Sequence, residues 1–174
     1  MYILLIKIKT KDMKMANQKV QRNQAEEKFD PRLIAECGDC TCFNLRKTSR
    51  VITQMFEDAM RPIELRGTQF PLLAHAFGNS PITITRLAEM MVTDRTTLAR
   101  NLAPLEKRGL IKIQAGEDRR QRIVELTEQG REKLYEAYPI WKDTQEKIKK
   151  KLGTEKWSSL MANMSELVES VKES

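Results

Sequence analysis

The chain has 174 residues and carries a net charge of +7, from 31 Lys and Arg against 24 Asp and Glu, with only three cysteines and one histidine. That length gives one domain, or one domain with accessory helices, and a core that needs neither a disulfide framework nor a structural metal. Sparse aromatics and abundant charges fit a helical protein with solvated faces.

Residues 1–35 are polar, Lys-rich and weakly patterned after an apolar opening, MYILLIKIKT. The opening has no preceding basic region and no small-residue cleavage site, and it is far too short to span a bilayer. We expect a flexible basic arm over 1–42, able to touch a DNA backbone, in a cytoplasmic protein with reduced thiols and no membrane partner. Met13 or Met15 is a candidate for the true translation start. The arm ends in Cys37-Gly-Asp-Cys40-Thr-Cys42. Three readings stay open there: a thiol switch, a metal site, or no function, with Cys42 a small buried hydrophobe. A closed zinc site wants four ligands, and the chain supplies three cysteines and the distant His75. His75 itself reads as a structural or surface histidine.

Between Phe43 and Met60 the apolar residues Leu45, Ile52, Met55, Phe56, Ala59 and Met60 form one face of a long helix that Pro62 ends. We take 43–66 as an N-terminal dimerisation helix. Thr68 is expected to cap a shorter helix with Phe70, Leu73, Ala74 and Phe77 as its core face. After the turn Gly78-Asn79-Ser80-Pro81, the residues Ile84, Leu87, Ala88 and Met91 predict a helix that Thr85 can cap. A break at Val92-Thr93 precedes a second amphipathic helix with Asp94 or Thr93 at its N-cap, Leu98, Leu102 and Leu105 in its core, and Gly109 just past its end. Pro104 is expected to bend this helix, leaving Asp94 to Arg100 free to enter a groove.

The run IKIQ-AGEDRRQ-RIVEL then predicts a hairpin with a polar tip at Gly116. Helix, helix and hairpin make a winged helix-turn-helix over 67–127, mainly α with a small β wing. Thr127 caps a helix containing Leu134, Tyr135, Tyr138, Trp141, Ile148 and Leu152, which Pro139 is expected to kink or interrupt and Gly153 breaks. From Thr154 a last helix places Trp157, Leu160, Met161, Met164, Leu167, Val168 and Val171 on one face. Such a face must be covered, by the chain's own core or, together with the helix of 43–66, across a subunit interface that would make 128–174 C-terminal dimerisation helices.

Charge is localised. Residues 94–122 hold eight Lys and Arg against four Asp and Glu, and 1–50 hold eleven against six, while 51–93 and 123–174 each come to −1. Basic excess on the helix and hairpin is what phosphate attraction requires.

The stretch resembles the MarR family (multiple-antibiotic-resistance regulators). The resemblance is carried by Leu87-Ala88-Glu89, by Asp94-Arg95-Thr96-Thr97, by Leu105 to Ile111, and by Glu117-Asp118-Arg119-Arg120 leading to Leu126-Thr127-Glu128-Gln129-Gly130. It implies a homodimeric DNA-binding regulator, a repressor on a pseudo-palindromic operator, released by a small ligand or by cysteine oxidation. It assigns no sensing role to a particular cysteine, so a switch at Cys37, Cys40 or Cys42 rests on their spacing. It places Arg95, Thr96, Thr97 and Arg100 on the helix that reads double-stranded DNA. At the wing, it puts Arg120 in the minor groove with Asp118 holding neighbouring polar groups, while Arg119 and Arg122 neutralise backbone. Arg86 is either a phosphate contact or solvent-facing. Tyr135, Tyr138 and Trp141 line an effector pocket or pack the core.

No phosphate loop, metal-binding His pair or nucleophile with its base is evident, so neither an enzyme nor a cofactor is expected. The competing reading is a winged-helix protein-interaction module without sequence-specific DNA binding.

Overall fold

A computed structural model describes residues 38–116, 118 and 120–172. The N-terminal arm, Cys37, Glu117 and Arg119 lie outside the described residues, so the expectations for them stand as expectations. The chain divides into two compact units, Met1–Ser49 and Arg50–Ser174.

In the first unit, Asn44 donates through its side chain to the carbonyls of Gly38 (2.7 Å) and Cys40 (3.1 Å), fixing the start of a helix, α1 (Thr41–Met60). Residues 38–51 are exposed on every side, and Cys40 and Cys42 are free thiols. Cys42 is exposed, not the small buried hydrophobe expected, because the helix's first turns meet no buried core among the described residues.

In the second unit, α1 ends on the buried Met60 and passes into a 3-10 turn, Arg61–Ile63, with Pro62 inside it. The next helix, α2 (Phe70–Gly78), has Gln69 at its N-cap, not Thr68. A hydrogen-bonded turn replaces the expected hydroxyl cap. The Arg66 carbonyl accepts from Gln69 N and Phe70 N, while Gln69 Oε1 accepts from Arg66 N. Starting there, the helix buries Phe70, Leu72, Leu73 and Ala76. Phe77, expected in the core, is exposed, with its ring edge-on to Tyr135 and the Arg131 guanidinium over its face.

A two-residue strand, β1 (Ile82–Thr83), precedes α3 (Ile84–Met90). The cap is Thr83, whose Oγ1 accepts from Arg86 N at 3.1 Å, and not Thr85. The reason is the strand: backbone extended for sheet pairing already has the dihedrals an N-cap needs, so the helix begins where pairing ends. Val92, at φ 49°, turns the chain into α4 (Arg95–Lys107). The helix burying Leu98, Leu102 and Leu105 closes as a Schellman motif. Gly109 (φ 71°) donates to Glu106 O and Leu110 to Leu105 O.

The wing strands β2 (Ile111–Ala115) and β3 (Arg122–Leu126) pair antiparallel, from Ile111 opposite Leu126 to Ala115 opposite Arg122. Strand β1 adds to the other edge of β3, giving the order β1-β3-β2. Val124 and Leu126 point inward to the helices, completing one core with Leu73, Leu87, Leu98, Leu102 and Leu105.

Helix α5 (Glu128–Leu152) starts on Thr127, whose Oγ1 accepts from Gly130 N at 3.0 Å. It buries Leu134 and Ala137, and it runs through Pro139 without interruption, as α4 does through Pro104. Both prolines are on exposed faces, where water can satisfy the carbonyl that loses its N–H partner. Tyr135 and Tyr138 are exposed, whereas Trp141 is half-buried and stacks on Phe70 at 5.4 Å. Gly153 (φ 88°) breaks the helix, and α6 (Thr154–Lys172) follows. Among the described residues, none on α6 is fully buried, and on its apolar stripe Trp157, Met161 and Met164 are half-buried while Leu160, Leu167, Val168 and Val171 are exposed.

Candidate nucleic-acid interface

The reading helix α4 is set by its first residue. The Asp94 Oδ1 accepts from Thr97 N at 2.8 Å. The Thr97 hydroxyl and then the Thr97 backbone N–H hold the Asp94 carboxyl below the usual carboxylate range. A lowered value means that the cap is in place above the ordinary carboxylate pKa and is lost as pH falls through the lowered one.

With Leu98, Leu102 and Leu105 turned to the core, the opposite face of α4 carries Thr96, Arg100, Ala103 and Lys107 at i, i+4, i+7 and i+11, all exposed. Arg95 is exposed beside them. Thr97 stands apart. It is half-buried, its N–H serves the cap, and its hydroxyl lies 3.5 Å from Arg100 Nη2, so it steadies Arg100 from the flank. Lys107 is not among the DNA-binding candidates that the sequence offers. Its place on the Thr96–Arg100 stripe was available from the 3.6-residue period.

At the wing, Asp118 organises the tip. Its Oδ1 accepts from Arg120 N at 2.9 Å and its carbonyl from Gln121 N at 2.8 Å, while Gly116 N donates to Gln121 O. Arg120 is exposed at this closed tip and Arg122 at the start of β3. Below the tip, Glu125 holds Lys112 at 2.7 Å and accepts from Gln114, bracing the two strands.

Ion pairing separates the cations into two groups. Lys112 pairs with Glu125, and the exposed Arg86 with Glu89 at 3.0 Å on its own helix. Among the described residues, no carboxylate pairs with Arg95, Arg100, Lys107, Arg120 or Arg122. Unpaired cations on a protruding helix and finger keep their full field for an anionic partner.

A capped helix packed across a second helix, and backed by a three-stranded sheet with a basic finger, defines a winged helix-turn-helix regulator. The MarR family model matches residues 65–121. The M. tuberculosis transcriptional regulator MosR, solved in complex with DNA, is 33% identical. The match covers 77% of this chain and 97% of that one, with a TM-score of 0.70. An HTH-type transcriptional regulator of Bacillus subtilis (strain 168), YwoH, is 26% identical over 96 residues, covering 55% of this chain and 69% of the relative. At the level of fold alone, S. aureus MepR, solved as a DNA complex, superposes over 76% of this chain and 97% of that one with a TM-score of 0.68. It is 18% identical.

The chain belongs to the MarR family. It is a transcriptional regulator, not an enzyme.

Proposed function

We propose that this protein is a homodimeric repressor that reads a pseudo-palindromic operator through α4 and the wing, and that a small ligand or thiol oxidation releases it. The observation that carries the DNA-reading role is that Arg95, Arg100, Lys107, Arg120 and Arg122, on α4 and the wing, are exposed and have no carboxylate partner among the described residues, in a chain that resembles a regulator solved on DNA. In this reading Thr96 and Arg100 meet base edges, Arg95, Lys107 and Arg122 meet phosphates, and Arg120 enters the minor groove. A dimer seated on a promoter excludes polymerase by occupancy, which makes repression the direct outcome.

Two features support release. A cavity of about 320 Å³ is lined by Phe56, Phe70, Pro71, Ala74, His75 and Trp141, between the end of α1, α2 and α5. Its aromatic walls suit a flat apolar ligand, which would bias the dimer toward one head spacing only through a preference between the two states. Cys40 and Cys42 are exposed and accessible to oxidant.

Replacing Arg120 with alanine should weaken operator binding by about 1–3 kcal/mol, as for a good groove contact, with the fold unchanged. Fluorescence anisotropy at fixed salt measures it, and wild-type affinity in the variant removes Arg120 from the interface. A winged-helix protein-interaction module would show no such dependence on Arg120.

A further inference from the structure

The end of α1 is closed by its own Schellman pair. Leu65 N donates to Met60 O at 3.4 Å and Glu64 N to Arg61 O at 3.0 Å, with Glu64 left-handed at φ 54°. This pairing leaves the carbonyls of Ile63 and Glu64 at the negative pole of the helix, turned to other elements. Two cations from distant parts of the chain meet them. Lys133 Nζ donates to Ile63 O at 3.2 Å, and Arg108 Nη1 donates to Glu64 O at 2.6 Å.

The positions of these two cations matter. Arg108 is the C-cap of the reading helix α4, one residue before the left-handed Gly109. Lys133 lies in the second turn of α5 and is held on its other side by Glu136 at 2.6 Å. The reading helix and α5 are already joined, because Thr127 Oγ1 donates to Gly109 O at 2.5 Å and Thr127 N to Leu110 O at 3.1 Å. The turn after α1 is thus fastened to both sides of one junction. Arg108 differs from Lys107 next to it: its guanidinium donates through Nη1 to a protein carbonyl.

We propose that Arg108 and Lys133 are positioning residues for DNA binding, a two-point latch that ties the end of α1 to the reading helix. With the latch closed, a displacement of α1 is carried to α4 and is not absorbed in the turn between them. The proposal rests on the DNA-reading function above, and it adds the route by which movement outside the winged unit reaches the helix that reads.

The test uses the full chain and two readouts. Arg108→Met combined with Lys133→Met keeps side-chain length and removes both donors, while Arg108→Lys restores one charged donor. In hydrogen exchange of the free protein, amides of 61–65 and 105–110 should open about tenfold faster in the double variant, as expected for losing charge-assisted bonds, with those of α2 and α3 unchanged. On a duplex selected from genomic DNA by the wild type, the double variant should bind about tenfold more weakly with an unchanged slope of log affinity against log salt, since no phosphate contact is lost. Arg108→Lys should recover part of both effects.

Unchanged exchange at 61–65 and 105–110 overturns the latch. So does a rise in exchange throughout the chain, which makes the pair general stabilisers, or a salt slope reduced by about one per arginine removed, which makes Arg108 a direct phosphate contact. If the wild type selects no DNA, the DNA-reading function fails, while the exchange measurement still decides whether the latch exists.

Discussion

Replacing Gly130 with alanine should destabilise the protein by about 3–4 kcal/mol, on the scale of severe overpacking with loss of buried hydrogen bonds. Helix propensity alone points the other way, since alanine is favoured over glycine inside a helix by about 1 kcal/mol. Local packing decides against it. A Cβ built on Gly130 lies 1.8 Å from the Leu110 carbonyl oxygen, a backbone atom in the turn between the reading helix and β2. Relief requires the first turn of α5 to back away from that turn. Moving it breaks the bonds from Thr127 to Gly109 O and Leu110 O that seat α5 on the reading helix. Urea denaturation of Gly130→Ala against wild type measures the loss. A variant as stable as wild type would show that the turn yields freely, and the rigid junction would be wrong.

The second large effect concerns α6. Leu160, Leu167, Val168 and Val171 are 39%, 38%, 45% and 66% exposed, along a stripe that stays apolar for the length of the helix. A stripe of this extent in water marks an association surface. Glutamate at Leu160, Leu167 and Val171 together should yield a monomer with a folded winged unit, because among the described residues none of the three belongs to the buried core. DNA affinity should then fall about 100-fold or more, since the second head no longer benefits from the effective concentration that the first gives it. Sedimentation gives the mass, circular dichroism the fold, and a gel shift the affinity. A variant that remains dimeric, or a monomer with undiminished affinity, would contradict the two-headed arrangement.

How much of this was legible in the sequence depends on the range of the interaction that fixes each feature. The reading helix was legible nearly to the residue, because a local cap at Asp94, a 3.6-residue stripe of leucines and a left-handed Gly109 each act within one or two turns. Thr127 as the cap of α5 was legible for the same reason. The strand β1 was not. Two residues in Ile82-Thr83-Ile84-Thr85 have no period of their own, and only β3, forty residues on, selects the extended pair and so moves the cap from Thr85 to Thr83. The core face of α2 shifted likewise once the Arg66–Gln69 turn set the helix start, turning Leu72 and Ala76 inward and Phe77 out. At the candidate site, the resemblance pointed to arginines of helix and wing, and Arg95, Arg100, Arg120 and Arg122 are exposed there. The bond from Arg108 to the Glu64 carbonyl was not legible, since a bond from a side chain to a distant carbonyl leaves no periodic trace.

The central claim, that unpaired cations on one helix and its wing engage a duplex twice over, is tested most directly by genomic selection followed by titration. Duplexes retained by the wild-type protein should share a near-palindrome with half-sites about one helical turn apart. They should bind two chains each and lose affinity steeply as salt rises, as counterion release requires. Failure to enrich any sequence over genomic background, or affinity indifferent to salt, would contradict it.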